Sequence, residues 1–82
     1  MLKAEEIEKM PAPLQRAYRF LPARLYEVRR KLGLTQLAVE MKTGIPKETI
    51  SAYENGMRYP AFYNLVSLAA FYEVSVGWLI GE

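Results

Sequence analysis

Proline and glycine cut this chain into pieces of helical length, and no piece alternates apolar and polar residues in the Val-, Ile- and Thr-rich manner of a strand. A chain of 82 residues builds one modest core and leaves too little for a second independent domain. The expected fold class is therefore all-α, in a single domain. The first piece, about Lys3 to Met10, ends at Pro11-Ala12-Pro13 and is short enough to fray. Beyond it Leu14, Tyr18, Leu21, Leu25, Val28 and Leu32 recur at spacings of 4, 3, 4, 3 and 4, a core stripe on one helical face. Pro22 interrupts that stripe. Inside a helix it loses a hydrogen bond and its ring meets the Tyr18 carbonyl, so two helices are expected, with Pro22 in the first turn of the second.

Gly33 stops the stripe directly after Leu32, and Arg29, Arg30 and Lys31 give the helix end a basic turn that suits its dipole. Thr35 is an N-cap for a helix from Gln36 to about Lys42, closed by Gly44. Only a few residues separate it from the next helix, about Lys47 to Asn55, so the two must cross steeply. That helix ends at Asn55-Gly56, a pair that readily takes left-handed geometry. Pro60 opens a fourth helix with a broad apolar face of Phe62, Leu65, Val66, Leu68, Ala69 and Tyr72, and Ser75 caps a last turn through Ile80.

The residue inventory narrows the chemistry. Cysteine, histidine and aspartate are absent, which removes disulfides, the usual zinc sites, haem ligation and imidazole-assisted nucleophiles. Glu, Lys and Tyr form no pair or cluster with a cofactor motif, so neither an enzyme nor a cofactor or metal site is expected. No run approaches the roughly 20 apolar residues of a membrane span, and Met1-Leu2-Lys3-Ala4-Glu5-Glu6 is too polar for a signal peptide; a cytoplasmic location is expected. The net charge of +2 hides a concentration: residues 11–31 carry Arg16, Arg19, Arg24, Arg29, Arg30 and Lys31 against Glu27 alone. Such a segment suits an anionic partner, and equally a solvated helix face.

From Leu34 the chain runs Thr35-Gln36, then Gly44, Ile50 and Tyr53-Glu54-Asn55-Gly56, followed by Arg58-Tyr59-Pro60 and Val74-Ser75-Val76-Gly77-Trp78-Leu79. In order and spacing this resembles the Cro/repressor-like helix-turn-helix family, also called the XRE family, over about residues 24–81. The resemblance implies a compact five-helix lambda-repressor-like domain over residues 22–82, with residues 1–21 a short N-terminal helical extension outside it. It also implies a transcriptional regulator, a repressor in the main, that binds double-stranded DNA as a homodimer on a roughly palindromic operator.

A helix fits the major groove, and residues near its N-terminus reach base edges. Lys47, Glu48 and Thr49 occupy that end, with Ser51 and Ala52 one turn further on, and these five are the expected base contacts. Lys47 suits guanine O6 or N7 and Glu48 suits cytosine N4, the two members of one G·C step. Gln36 is expected at a phosphate or as a brace for the recognition helix, and Tyr53, Asn55, the backbone at Gly56, Arg58 and Arg24 along the sugar-phosphate chain. Tyr53 is expected half in the core with its hydroxyl free. Glu54, repelled by phosphate, is expected to pair with a basic residue of the Arg24 to Lys31 helix. Ile50, Val39, Ile45, Leu65, Leu68 and Trp78 are expected core.

Four positions depart from the family pattern. Glu40 stands for an alanine and Thr43 for a leucine, changes expected to loosen the helix pair, and Glu73 replaces a small residue. Pro46 stands where a side chain commonly caps the recognition helix, which leaves the start of that helix open by a residue or two. The motif itself is charge-neutral, so phosphate neutralisation must come from Arg24, Arg29, Arg30 and Arg58. A reading from another class is a protein-interaction module that keeps the scaffold and docks a protein partner on Phe62, Tyr63, Phe71, Tyr72 and Trp78. Leu14, Tyr18 and Leu21 are expected to dock on the domain or on a second subunit.

Overall fold

The computed structural model describes residues 2–82, which form six helices and, among the described residues, no strand. They are α1 (Ala4–Glu8), α2 (Ala12–Lys31), α3 (Gln36–Thr43), α4 (Lys47–Glu54), α5 (Phe62–Tyr72) and α6 (Val76–Leu79). The architecture is the all-helical one of a small lambda-repressor-like domain. α2 is the spine, and α4 and α6 pack on it while α3 pairs with α4. The core joins Leu21, Leu25 and Val28 of α2 to Val39, Ile50, Tyr53, Leu68, Ala69, Tyr72 and Leu79, with Ile45 between α3 and α4.

The break expected at Pro22 is absent: α2 runs through it for 20 residues. The reason lies in the Tyr18 carbonyl, which the proline deprives of its helical donor. The Tyr59 hydroxyl donates to that carbonyl at 3.3 Å, and the Tyr59 ring meets the Tyr18 ring edge-on with centroids 4.6 Å apart. A tertiary hydrogen bond thus replaces the missing backbone one, and the helix need not end. Burial, with a smaller contribution from Tyr18, pushes the Tyr59 hydroxyl above its ordinary pKa.

Other expectations are modified in detail. The ends of the α2 stripe lie outside the core, Leu14 being 43% and Leu32 51% exposed, while Leu21 is buried and Tyr18 half-buried against Tyr59. α5 starts at Phe62 rather than at Pro60, because Ala61 is extended and serves as its N-cap. Its apolar face is narrower than expected: Leu68, Ala69 and Tyr72 are buried, whereas Phe62 and Val66 are exposed. The caps form as expected at Thr35, whose hydroxyl accepts from the Ala38 amide, and at Ser75, whose hydroxyl accepts from the Trp78 amide. α2 closes on Gly33 at φ +72°, with the Leu34 amide donating to the Arg29 carbonyl and the Gly33 amide to that of Arg30.

Candidate nucleic-acid interface

α4 is fixed from behind by what its sequence buries. Ile50 and Tyr53, three residues apart, are both sealed in the core, so the residues between and before them are turned outward. Lys47 and Glu48 are exposed; Thr49, Ser51 and Ala52 are half-buried. The five residues expected to meet base edges therefore lie on the first two turns of α4, with none fully buried.

The C-terminal end of α4 is clamped by Glu54. Its carboxylate accepts from Arg29 Nε at 2.7 Å and from a second guanidinium nitrogen at 2.9 Å, and from Gln36 Nε2 at 3.2 Å. Arg29 also donates to the Leu34 carbonyl at 2.8 Å, so one ion pair holds α2, the loop before α3, and α4 together. The hydrogen bond it donates to Glu54 holds the Arg29 guanidinium above its already high ordinary pKa, outweighing burial. Glu54 is thus structural, as expected, and its partner is Arg29. Gln36 braces α4 through it.

The N-terminal end of α4 has an unexpected cap. Pro46 offers no side-chain acceptor, and Glu40 Oε1, reaching over from α3, accepts from the Lys47 amide at 2.7 Å. A carboxylate there also meets the positive end of the helix dipole. Glu40 was expected to loosen the helix pair; it instead ties the pair together. Thr43 was expected to do the same, yet its hydroxyl donates to the Val39 carbonyl at 2.8 Å and accepts from the Ile45 amide at 3.2 Å, which shapes the turn at Gly44. Glu40 standing seven residues before a capless Lys47 was the available signal, and it was missed.

The residues expected along the sugar-phosphate chain are placed differently from one another. Asn55 and Arg58 are exposed, and Asn55 Nδ2 donates to the Ser51 carbonyl at 2.9 Å. Gly56 has φ +70°, and a Cβ there would lie 3.5 Å from the Tyr59 hydroxyl and 3.6 Å from Pro22. Tyr53, expected half in the core with a free hydroxyl, is instead buried, because α4 turns it inward beside Ile50, and its hydroxyl accepts from Asn64 Nδ2 at 2.9 Å. Arg24 lies between the Phe20 and Trp78 rings, 4.9 Å from each centroid, and donates to the Trp78 carbonyl. Arg29 is neutralised by Glu54, whereas Arg30 is exposed over the Tyr26 ring, at 5.7 Å from its centroid. The expected aromatic surface is dispersed: Tyr72 is buried, Phe71 and Trp78 pack against the core, and only Phe62 and Tyr63 stand free.

Among the described residues no cluster of acidic side chains is placed to hold a metal ion, and no helix is long and apolar enough to cross a membrane.

Comparison with known proteins gives a consistent result. A family described as Helix-turn-helix matches residues 25–79. The HTH-type transcriptional regulator ImmR of Bacillus subtilis (strain 168) is 37% identical over 62 residues, which make up 76% of this chain and 49% of that protein. The chain thus spans about half the length of this relative. No solved structure matches.

Proposed function

We propose that this chain, which belongs to the helix-turn-helix family, is a DNA-binding transcriptional regulator that reads duplex sequence with the first two turns of α4. The observation that carries this reading is the division of α4: Ile50, Tyr53 and Glu54 are spent on the core and the clamp, while Lys47 and Glu48 are exposed at a capped N-terminus. A helix tied at both ends presents those side chains on a backbone with little entropy left to lose on binding.

Lys47 donates to guanine and Glu48 accepts from cytosine, with Thr49, Ser51 and Ala52 touching the neighbouring bases. Asn55, the Gly56 backbone and Arg58 follow the sugar-phosphate chain beyond the C-terminal end of α4. Gln36 reaches the backbone in addition to bracing Glu54; Tyr53, expected at the sugar-phosphate chain, supports α4 from the core, and Arg24, expected there too, is engaged with Phe20 and Trp78. The protein acts in the cytoplasm as a repressor, as a dimer on a roughly palindromic operator with its recognition helices about 34 Å apart. ImmR, described as a transcriptional regulator, supports the regulatory role.

Selection from a randomised duplex pool tests this reading, with the parent run beside a Lys47→Ala, Glu48→Ala double variant. The parent enriches a palindrome with a G·C step in each half-site, and the variant loses that step. A parent that enriches nothing overturns the proposal.

A further inference from the structure

We infer that Arg19, in the half of α2 that precedes the family match, is a phosphate contact of the duplex, placed on one exposed stripe of α2 with Arg30. The inference deepens the DNA reading above and rests on it.

The fold leaves the expected interface short of cations. Arg24 lies between the Phe20 and Trp78 rings, and Arg29 is neutralised by Glu54. Of the four arginines expected to meet phosphate, only Arg30 and Arg58 remain exposed. Affinity for a duplex grows with the number of phosphates neutralised, so a further free cation on the same side has a direct effect on binding.

The outer face of α2 supplies one. Arg19, Ala23, Tyr26 and Arg30 recur at spacings of 4, 3 and 4 and are all exposed, a straight stripe along the helix. Contacts beside the stripe show which way it looks. Pro22, one turn after Arg19, lies 3.6 Å from where a Cβ at Gly56 would stand, and Arg29, one turn after Tyr26, grips Glu54 at the end of α4. The stripe therefore runs along the α4 side of the helix, with Arg19 next to the loop that carries Asn55, Gly56 and Arg58. The other flank of α2 faces α6. Arg16 belongs there, its Cβ 3.2 Å from where a Cβ at Gly81 would stand, and so does Lys31, which lines a hollow with Trp78.

Arg19 is also held in place. The Tyr59 hydroxyl donates to the carbonyl of Tyr18, the residue before it, so the segment between the recognition helix and α5 is fastened to this part of α2. Among the described residues neither Arg19 nor Arg30 takes part in an ion pair. Eleven residues of helix put them about 16 Å apart along its axis, too far to share one phosphate, so each counts separately. The family match begins at residue 25, so Arg19 is a contact that the matched region does not contain.

Affinity of the full chain for a random-sequence duplex and for the selected duplex, measured by fluorescence anisotropy across a salt series, tests the proposal. Arg19→Ala reduces the slope of log affinity against log salt by about 0.9, so that a tenfold rise in salt weakens the variant about eightfold less than the parent. The reduction is the same on both duplexes, because a phosphate contact carries no sequence information. Arg19→Lys keeps the parent's slope, and Arg16→Ala, which removes the same charge one turn away on the α6 side, keeps it too. Far-UV melting confirms that each variant folds. A slope unchanged by Arg19→Ala, or one reduced equally by Arg16→Ala, overturns this proposal and leaves the DNA reading standing. A parent that binds neither duplex at any salt overturns both.

Discussion

Arg29 and Glu54 form a two-pronged ion pair at 2.7 and 2.9 Å that joins the spine helix to the end of the recognition helix, with both side chains almost wholly buried. Removing one partner strands the other charge in the interior. Arg29→Ala and Glu54→Ala are each expected to lower the free energy of unfolding by about 3–5 kcal/mol, measured in urea. Replacing both together with Met and Leu is expected to cost far less, since neither charge is then left alone. Single variants within about 1 kcal/mol of the parent would show that the clamp does not hold α4.

Pro22 and Tyr59 should be energetically coupled through the Tyr18 carbonyl. Tyr59→Phe is expected to cost about 1 kcal/mol in the parent. In a Pro22→Ala background the restored helical N–H satisfies that carbonyl, and the same change should cost less. A double-mutant cycle with coupling under about 0.3 kcal/mol contradicts this account of the uninterrupted helix.

Glu40→Ala removes the acceptor for the Lys47 amide. The expected loss is about 1 kcal/mol of stability, with faster hydrogen exchange at Lys47 and weaker duplex binding; Glu40→Gln, which keeps an acceptor, recovers most of it. Unchanged exchange at Lys47 would mean that the cap is not populated in solution.

Burial pushes the Tyr72 hydroxyl from 10.0 up to about 12, with the Glu54 charge adding to the effect and Arg29 opposing it. The raised folded value means that the unfolded chain loses this proton first. The contribution is intact below pH 10 and is lost as pH rises from 10 towards 12. Stability should therefore fall across that window by about 2 kcal/mol more in the parent than in Tyr72→Phe. Parallel curves for the two proteins contradict it.

Much of this was legible in the sequence because it is local. Thr35 and Ser75 are caps, Gly33 is a stop, and Ile50 is core, all through nearest-neighbour chemistry. The pairing of Glu54 with a basic residue of α2 was also readable, from the repulsion of a carboxylate by phosphate. What escaped depends on contacts distant in sequence. Nothing near Pro22 announces that Tyr59, 41 residues from Tyr18, will satisfy the carbonyl the proline leaves bare. Glu40 and Pro46 each look unfavourable alone and are complementary only when α3 and α4 are folded together. Phe62 fits the apolar period of α5, yet the fold supplies no neighbour to cover it.

The central claim, that α4 reads sequence, is tested most directly by measuring affinity for the selected duplex and for a random duplex across a salt series. Both affinities should fall as salt rises, and the selected duplex should bind at least about 1,000-fold more tightly at physiological salt. Lys47→Ala, Glu48→Ala should collapse that ratio while the melting temperature stays in place. Equal affinity for the two duplexes in the parent would contradict the account.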